Sequence, residues 1–217
     1  MKRLIGFILT VIFCAVVAAA QEKVSADVAL AEDKASADII AARGKSSINP
    51  ATVYRQVYKK SVITVVSPNQ AGWSLFESNT VETVFEKRAP DEILNASVRI
   101  FKTEIFETEE ESLTSFETGK KEELESEYNR DSIHFNYVTF KAKPCVQYDG
   151  IFSFKEAMPK FKYYNLKGYL CSHPENKNLV IQMEFSSRSN SRGFPENLLS
   201  LSDEFFEKTT FYKAAVK

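Results

Sequence analysis

The chain of 217 residues carries 28 basic and 29 acidic side chains. That balance excludes the basic excess of a nucleic-acid binder. Hydrophobic residues make up 44% and aromatic ones 12%, which supplies a core and excludes disorder throughout. At about 100–200 residues per domain, the length implies one folded domain with appendages.

Lys2 and Arg3 precede an apolar run from Leu4 to Val17, and Ala18-Ala19-Ala20 follows. A basic start, a short apolar stretch and small residues before a cleavage point are the marks of a secretory signal. Segment 1–20 is therefore expected to be a signal peptide, cut before Gln21. A membrane span needs about 20 apolar residues, so a retained anchor is the weaker reading. Lipidation at Cys14 is disfavoured by the bulky Phe13 before it. The expected address is periplasmic or secreted, with no transmembrane span after cleavage.

Residues 21–47 are rich in alanine and lack aromatics. Val24, Val28, Ala31, Ala35 and Ile39 fall near helical spacing, with Gly44 as a terminator, but the stripe is thin. This segment reads as a leader or tether, and residues 48–217 as a single α+β domain. From Thr52 the pattern turns strand-like, and Val62–Val66 is a β-branched run ended by Ser67-Pro68 through Gly72. Trp73–Glu77 and Val81–Lys87 read as a hairpin, and Leu94–Phe106 as a central strand covered on both faces. Asn95-Ala96-Ser97 is a glycosylation sequon whose strand placement argues against use.

The period changes over Glu107–Asn129, where Leu113, Phe116, Leu124 and Tyr128 share a helical face. Gly119 is a candidate break in it. Ten acids stand between Glu104 and Glu127 against Lys120 and Lys121, a solvated face before it is a partner-binding one. Strands resume at Ile133–Lys141, Cys145–Phe154, Tyr163–Cys171 and Leu179–Phe185. Pro195 opens a last helix to about Lys208, with Leu198, Leu201 and Phe205 on its stripe and Leu199 and Phe206 flanking. Many strands with helices near the middle and end imply an antiparallel sheet with helices packed on it.

With the signal removed, only Cys145 and Cys171 remain, an even number suited to an oxidising compartment. A bridge between them contributes roughly 3–4 kcal/mol in the chain-entropy model. The alternatives are two free thiols, or a catalytic cysteine paired with His134 or His173. Neither histidine has a partner at a metal-ligand spacing, so no metal is expected. No nucleophile elbow, zinc-protease motif or glycine-rich phosphate loop occurs, which lowers the case for an enzyme and implies no cofactor.

Two features remain as candidate binding residues. Trp73 follows a turn that Gly72 can make, and it is either an anchor of the hairpin or a stacking platform at a cleft. Ser186–Gly193 is read as a polar loop holding Arg188 and Arg192. These either pair with local acids or hold an anion or a partner's carboxylate.

The order of elements resembles the PsbP-like α/β/α sandwich superfamily, with Ser67-Pro68 through Gly72-Trp73 early and Lys167-Gly168-Tyr169-Leu170-Cys171 late. That superfamily includes the extrinsic oxygen-evolving protein of photosystem II, a Ran-binding nuclear import factor and exported bacterial proteins of unknown role. The resemblance covers about residues 49–217. It implies a sheet between helices and a binding or assembly role, and no functional residue transfers position by position. Export argues against Ran binding.

The expected function is that of an exported accessory protein, binding an unknown protein or small ligand in the cell envelope and no nucleic acid. The rivals are a hydrolase whose site assembles only in three dimensions, and an envelope protein that neutralises a toxin.

Overall fold

The computed structural model describes residues 48–58, 61–155, 160–174 and 176–213. The expected signal segment 1–20, with Cys14, and the leader 21–47 lie outside the described residues.

Among the described residues, branched and aromatic runs form ten strands. The first five are β1 (Val53–Tyr58), β2 (Ser61–Val66), β3 (Ser74–Ser78), β4 (Glu82–Ala89) and β5 (Glu92–Lys102). After helix α1 (Glu109–Glu127) come β6 (Tyr128–Phe140), β7 (Lys143–Phe154), β8 (Tyr163–Ser172) and β9 (Leu179–Ser189). Helix α2 (Glu196–Lys208) and β10 (Thr210–Lys213) complete the order. Seven strands make one sheet in the order β3-β4-β5-β9-β8-β7-β6, antiparallel throughout. The remaining three form a small sheet, β1-β2-β10. The fold is α+β, an antiparallel sheet with two helices packed on it.

Strand alternation sorts the core between the two faces of the large sheet. Leu94, Ala96, Val98 and Ile100 of β5 lie with Leu179, Ile181, Met183 and Phe185 of β9 on one face. Ile63 and Val65 of β2 and Leu198, Leu201, Phe205 and Phe206 of α2 cover them. On the other face, Tyr148 and Phe152 of β7 and Leu166 and Leu170 of β8 meet Leu113, Phe116 and Leu124 of α1. Each fully buried Val, Leu, Ile, Phe or Met among them contributes about 1.5–3 kcal/mol.

Helix α1 starts on a capping box. The Thr108 hydroxyl accepts from the Glu111 N–H, and the Glu111 carboxylate accepts from the Thr108 N–H. Glu109, Glu110 and Glu111 complement the helix dipole there. Gly119 does not break the helix, which runs to Glu127. Tyr128 is at once its C-cap and the first residue of β6, so it leaves the helical face assigned to it. At the far end of β6, a two-residue turn through Lys141 and Ala142, both at positive φ, sets the register with β7.

Cys145 and Cys171 are directly opposed on β7 and β8 and joined by a disulfide, with no exposure. The readings as free thiols or as a catalytic cysteine therefore fall. A disulfide suits an oxidising compartment. Among the described residues, no helix is long and apolar enough to cross a membrane.

Three expectations need correction. β9 runs four residues past Phe185, so Ser186–Ser189 is strand and only Asn190–Pro195 connects to α2. Phe206 belongs to the buried stripe of α2, whereas Leu199 is exposed. The small sheet, closed by the four residues of β10 against β2, was not anticipated.

Candidate functional site

The α1 side of the sheet carries a buried charge network. Residues paired across strands share a face, which sets Ser97, Glu184, Gly168 and Tyr148 in one row. Lys120 enters from above, on the α1 stripe between Phe116 and Leu124. Its Nζ lies 2.9 Å from Glu184 Oε2 and 3.1 Å from Glu123 Oε1. Tyr148 donates to Glu184 Oε2 at 2.9 Å, and Tyr164 to Oε1 at 3.0 Å. Gln182 Nε2 donates to the Tyr148 hydroxyl at 3.2 Å and to Glu184 at 3.1 Å.

Gly168 makes this reach possible. A Cβ there would stand 2.6 Å from the Tyr148 hydroxyl and 2.6 Å from the Met183 carbonyl oxygen. With no side chain in that position, the Tyr148 ring lies across β8 and its hydroxyl meets Glu184 on the next strand. Lys120 Nζ also stands 5.3 Å from the centroid of that ring.

The network fixes its ionisation. Burial pushes the Glu184 carboxyl up, but Lys120 and the two phenols outweigh it and hold the group below its ordinary value. Burial pulls the Lys120 ammonium down, and Glu184 and Glu123 carry it above its ordinary value. Burial and the Glu184 charge push Tyr148 and Tyr164 well up. At neutral pH, these groups therefore present one set of charges, preorganised rather than poised to exchange protons.

Beside the network a cleft of about 280 Å³ opens between α1 and the sheet. Phe101, Phe116 and Leu170 line its apolar part; Thr103, Ser115, Lys120, Glu123 and Gln182 line the rest. Gly119 lines it too, and a Cβ there would meet no atom within 4 Å. A glycine in a helix interior costs about 1 kcal/mol against alanine, and no close approach requires one at this position. Arg99, next to Gln182 on the same face, pairs with Glu82 at 2.8 Å and feels the charges of Glu123 and Glu184.

The residues singled out from sequence do not converge. Trp73 is fully buried on the α2 side, its ring centroid 5.8 Å from that of Phe185. It is a core anchor with no open face, which removes it as a stacking platform. Arg188 lies in β9, on the α1 side, beside Tyr164 and Ile93. Its Nε is buried and meets no acceptor among the described residues. Arg192 sits in the connection to α2, exposed, with Nε 3.5 Å from Asp131 Oδ2. Asn165 ties that connection to the sheet: its Nδ2 donates to Ser191 O at 3.0 Å, and its Oδ1 accepts from the Gly193 N–H at 2.8 Å.

A second groove, of about 370 Å³, flanks α2 over β6, β7 and β8. In it, His134 Nδ1 stands 3.1 Å from Asp149 Oδ2, and Lys167 pairs with Asp203 at 2.5 Å. Ser132 also lines the groove, but no hydrogen bond joins it to His134 among the described residues. His173 is buried just after β8, where its backbone N–H donates to Leu179 O at 2.9 Å. No group of three metal-ligating side chains occurs among the described residues.

Sequence reading missed Lys120 and Glu184. The available signal was a lysine on the buried stripe of a helix, four residues after Phe116 and four before Leu124. Such a position needs an acid from the facing sheet.

No family model matches the chain, and no curated protein does. Among solved structures the chain is similar to cyanobacterial PsbP (CyanoP) from Synechocystis sp. PCC 6803. There the identity is 14% and the TM-score 0.43, over 76% of this chain and 95% of that one. It is also similar to LpqN, described as involved in cell envelope biogenesis of Mycobacterium tuberculosis. That identity is 12% and the TM-score 0.45, over 74% of this chain and 90% of that one.

Proposed function

We propose that the protein is a periplasmic or secreted accessory protein of the cell envelope that acts by binding, with the α1 side of the sheet as its binding face. The observation that carries this reading is the Lys120–Glu184 network beside an open cleft. Its charges are held in place by Tyr148, Tyr164 and Gln182 before any partner arrives. Preorganised polar groups lower the ordering cost of association, and groups held far from their titration points suit recognition better than proton transfer. The buried Cys145–Cys171 bridge supports work in an oxidising compartment. The partner is a protein or a small ligand of that compartment.

A photo-reactive side chain at Ser97, on the α1 side, and another at Asn136, on the α2 side, test the reading in intact cells. The expected result is an oxidised protein outside the cytosol that captures its partner from Ser97 and not from Asn136. A protein with reduced thiols in the cytosol, or capture from Asn136 alone, overturns it.

A further inference from the structure

We infer that the cleft between α1 and the sheet is a binding site for a small amphipathic cation, an apolar chain or ring carrying an ammonium head. The inference rests on the binding face proposed above and names what that face takes.

Three independent features of the cleft specify this ligand. Its apolar part, made by Phe101, Phe116 and Leu170, takes a hydrocarbon body. The volume of about 280 Å³ sits at the lower edge of the roughly 300–1,000 Å³ of pockets for drug-sized molecules, so the ligand is small.

The polar end is short of positive charge. Glu123 and Lys120 line it, and in the network around them three carboxylates, Glu82, Glu123 and Glu184, stand against two cations, Arg99 and Lys120. Lys120 is shared between Glu184 and Glu123, and the Glu123 side chain is 51% exposed. Gln182 spends its amide N–H groups on Tyr148 and Glu184, and its carbonyl oxygen accepts nothing among the described residues. An ammonium head between Glu123 and Gln182 meets both a half-exposed carboxylate, whose partner Lys120 is shared with Glu184, and an open acceptor.

Gly119 is the third feature. The helix gives up stability to carry it, yet a Cβ would meet only open space. A glycine lining the cleft with nothing of the fold pressed against it leaves the space for the ligand.

The full chain, with its disulfide intact, is titrated with hexylammonium, hexanoate and hexanol while backbone amides are followed by NMR. Saturable binding of the cation is expected, with shifts at Thr103, Gly119 and Leu170, and hexanoate at least about tenfold weaker. Glu123→Gln weakens the cation about tenfold and leaves hexanol unchanged. Gly119→Ala weakens the cation while raising the melting temperature by about 2–4 °C, and Gly119→Leu abolishes binding in a folded protein. Hexanoate binding as tightly as the cation, or undiminished binding by Gly119→Leu, overturns the inference. If it fails while Ser97 still captures a partner, the binding face stands without this ligand. Shifts confined to His134, Asn136 and Leu199 overturn both.

Discussion

Lys120 and Glu184 stand 2.9 Å apart, joining the middle of α1 to the centre of the large sheet. Neither is tolerable at its site alone. The Lys120 side chain is 3% exposed and that of Glu184 14%, so each ion depends on the other to offset its loss of water.

Removing one partner is therefore worse than removing both. Lys120→Met is expected to cost about 3–5 kcal/mol in urea denaturation, because it strands a buried carboxylate. Lys120→Met with Glu184→Gln should recover most of that, since the amide still accepts from a phenol. The pair also sets an acid limit. Glu184 ionises at a lower pH folded than unfolded, so its contribution is present above about 4.5 and is lost as pH falls through the folded value. Stability measured from about pH 6 down to 3 should fall for the native chain and fall less steeply for Lys120→Met.

Gly168 and Gly119 are expected to respond oppositely to alanine. At Gly168 the new Cβ collides with Tyr148 and with the Met183 carbonyl, and overpacking of this kind costs about 1–3 kcal/mol. At Gly119 it meets open space and improves the helix by up to about 1 kcal/mol. Thermal melts of the two variants, compared with the native chain, check the difference in sign.

The Cys145–Cys171 bridge joins positions 26 residues apart and has no exposed sulfur. Replacing both by alanine should lower stability by roughly 3–4 kcal/mol. In the intact protein, thiol release under a mild reductant should track global unfolding, because the sulfurs are reached only when the core opens. Quenched alkylation followed by mass spectrometry measures that rate against the unfolding rate.

What could be read from sequence follows from how much one residue says about its surroundings. Apolar residues on both parities of Leu94–Phe106 announced a central strand covered on both faces: Leu94, Ala96, Val98 and Ile100 are buried on one, and Phe101 packs into the core on the other. The cysteines were legible because there were two and the address implied oxidation. Ser186–Ser189 was misread because serine and arginine resemble a loop. In the fold, Ser187 and Ser189 are small buried residues beside Asn165 and the connection to α2, while Arg188 faces the α1 side. The small sheet was illegible because four residues of β10 acquire strand geometry only from β2, more than a hundred positions earlier. The charge network fails for the same reason. Glu184, Tyr148, Tyr164 and Lys120 come from four elements, and no local period links them.

The absence of any loop between α1 and β6 has a mechanical meaning. Tyr128 ends the one and begins the other, and its ring stacks on Tyr164 at a centroid distance of 4.6 Å. Pushing the helix outward levers the outermost strand with it, since no slack chain lies between them to absorb the displacement. A molecule wedged under α1 would be felt along the rim of the sheet as torque.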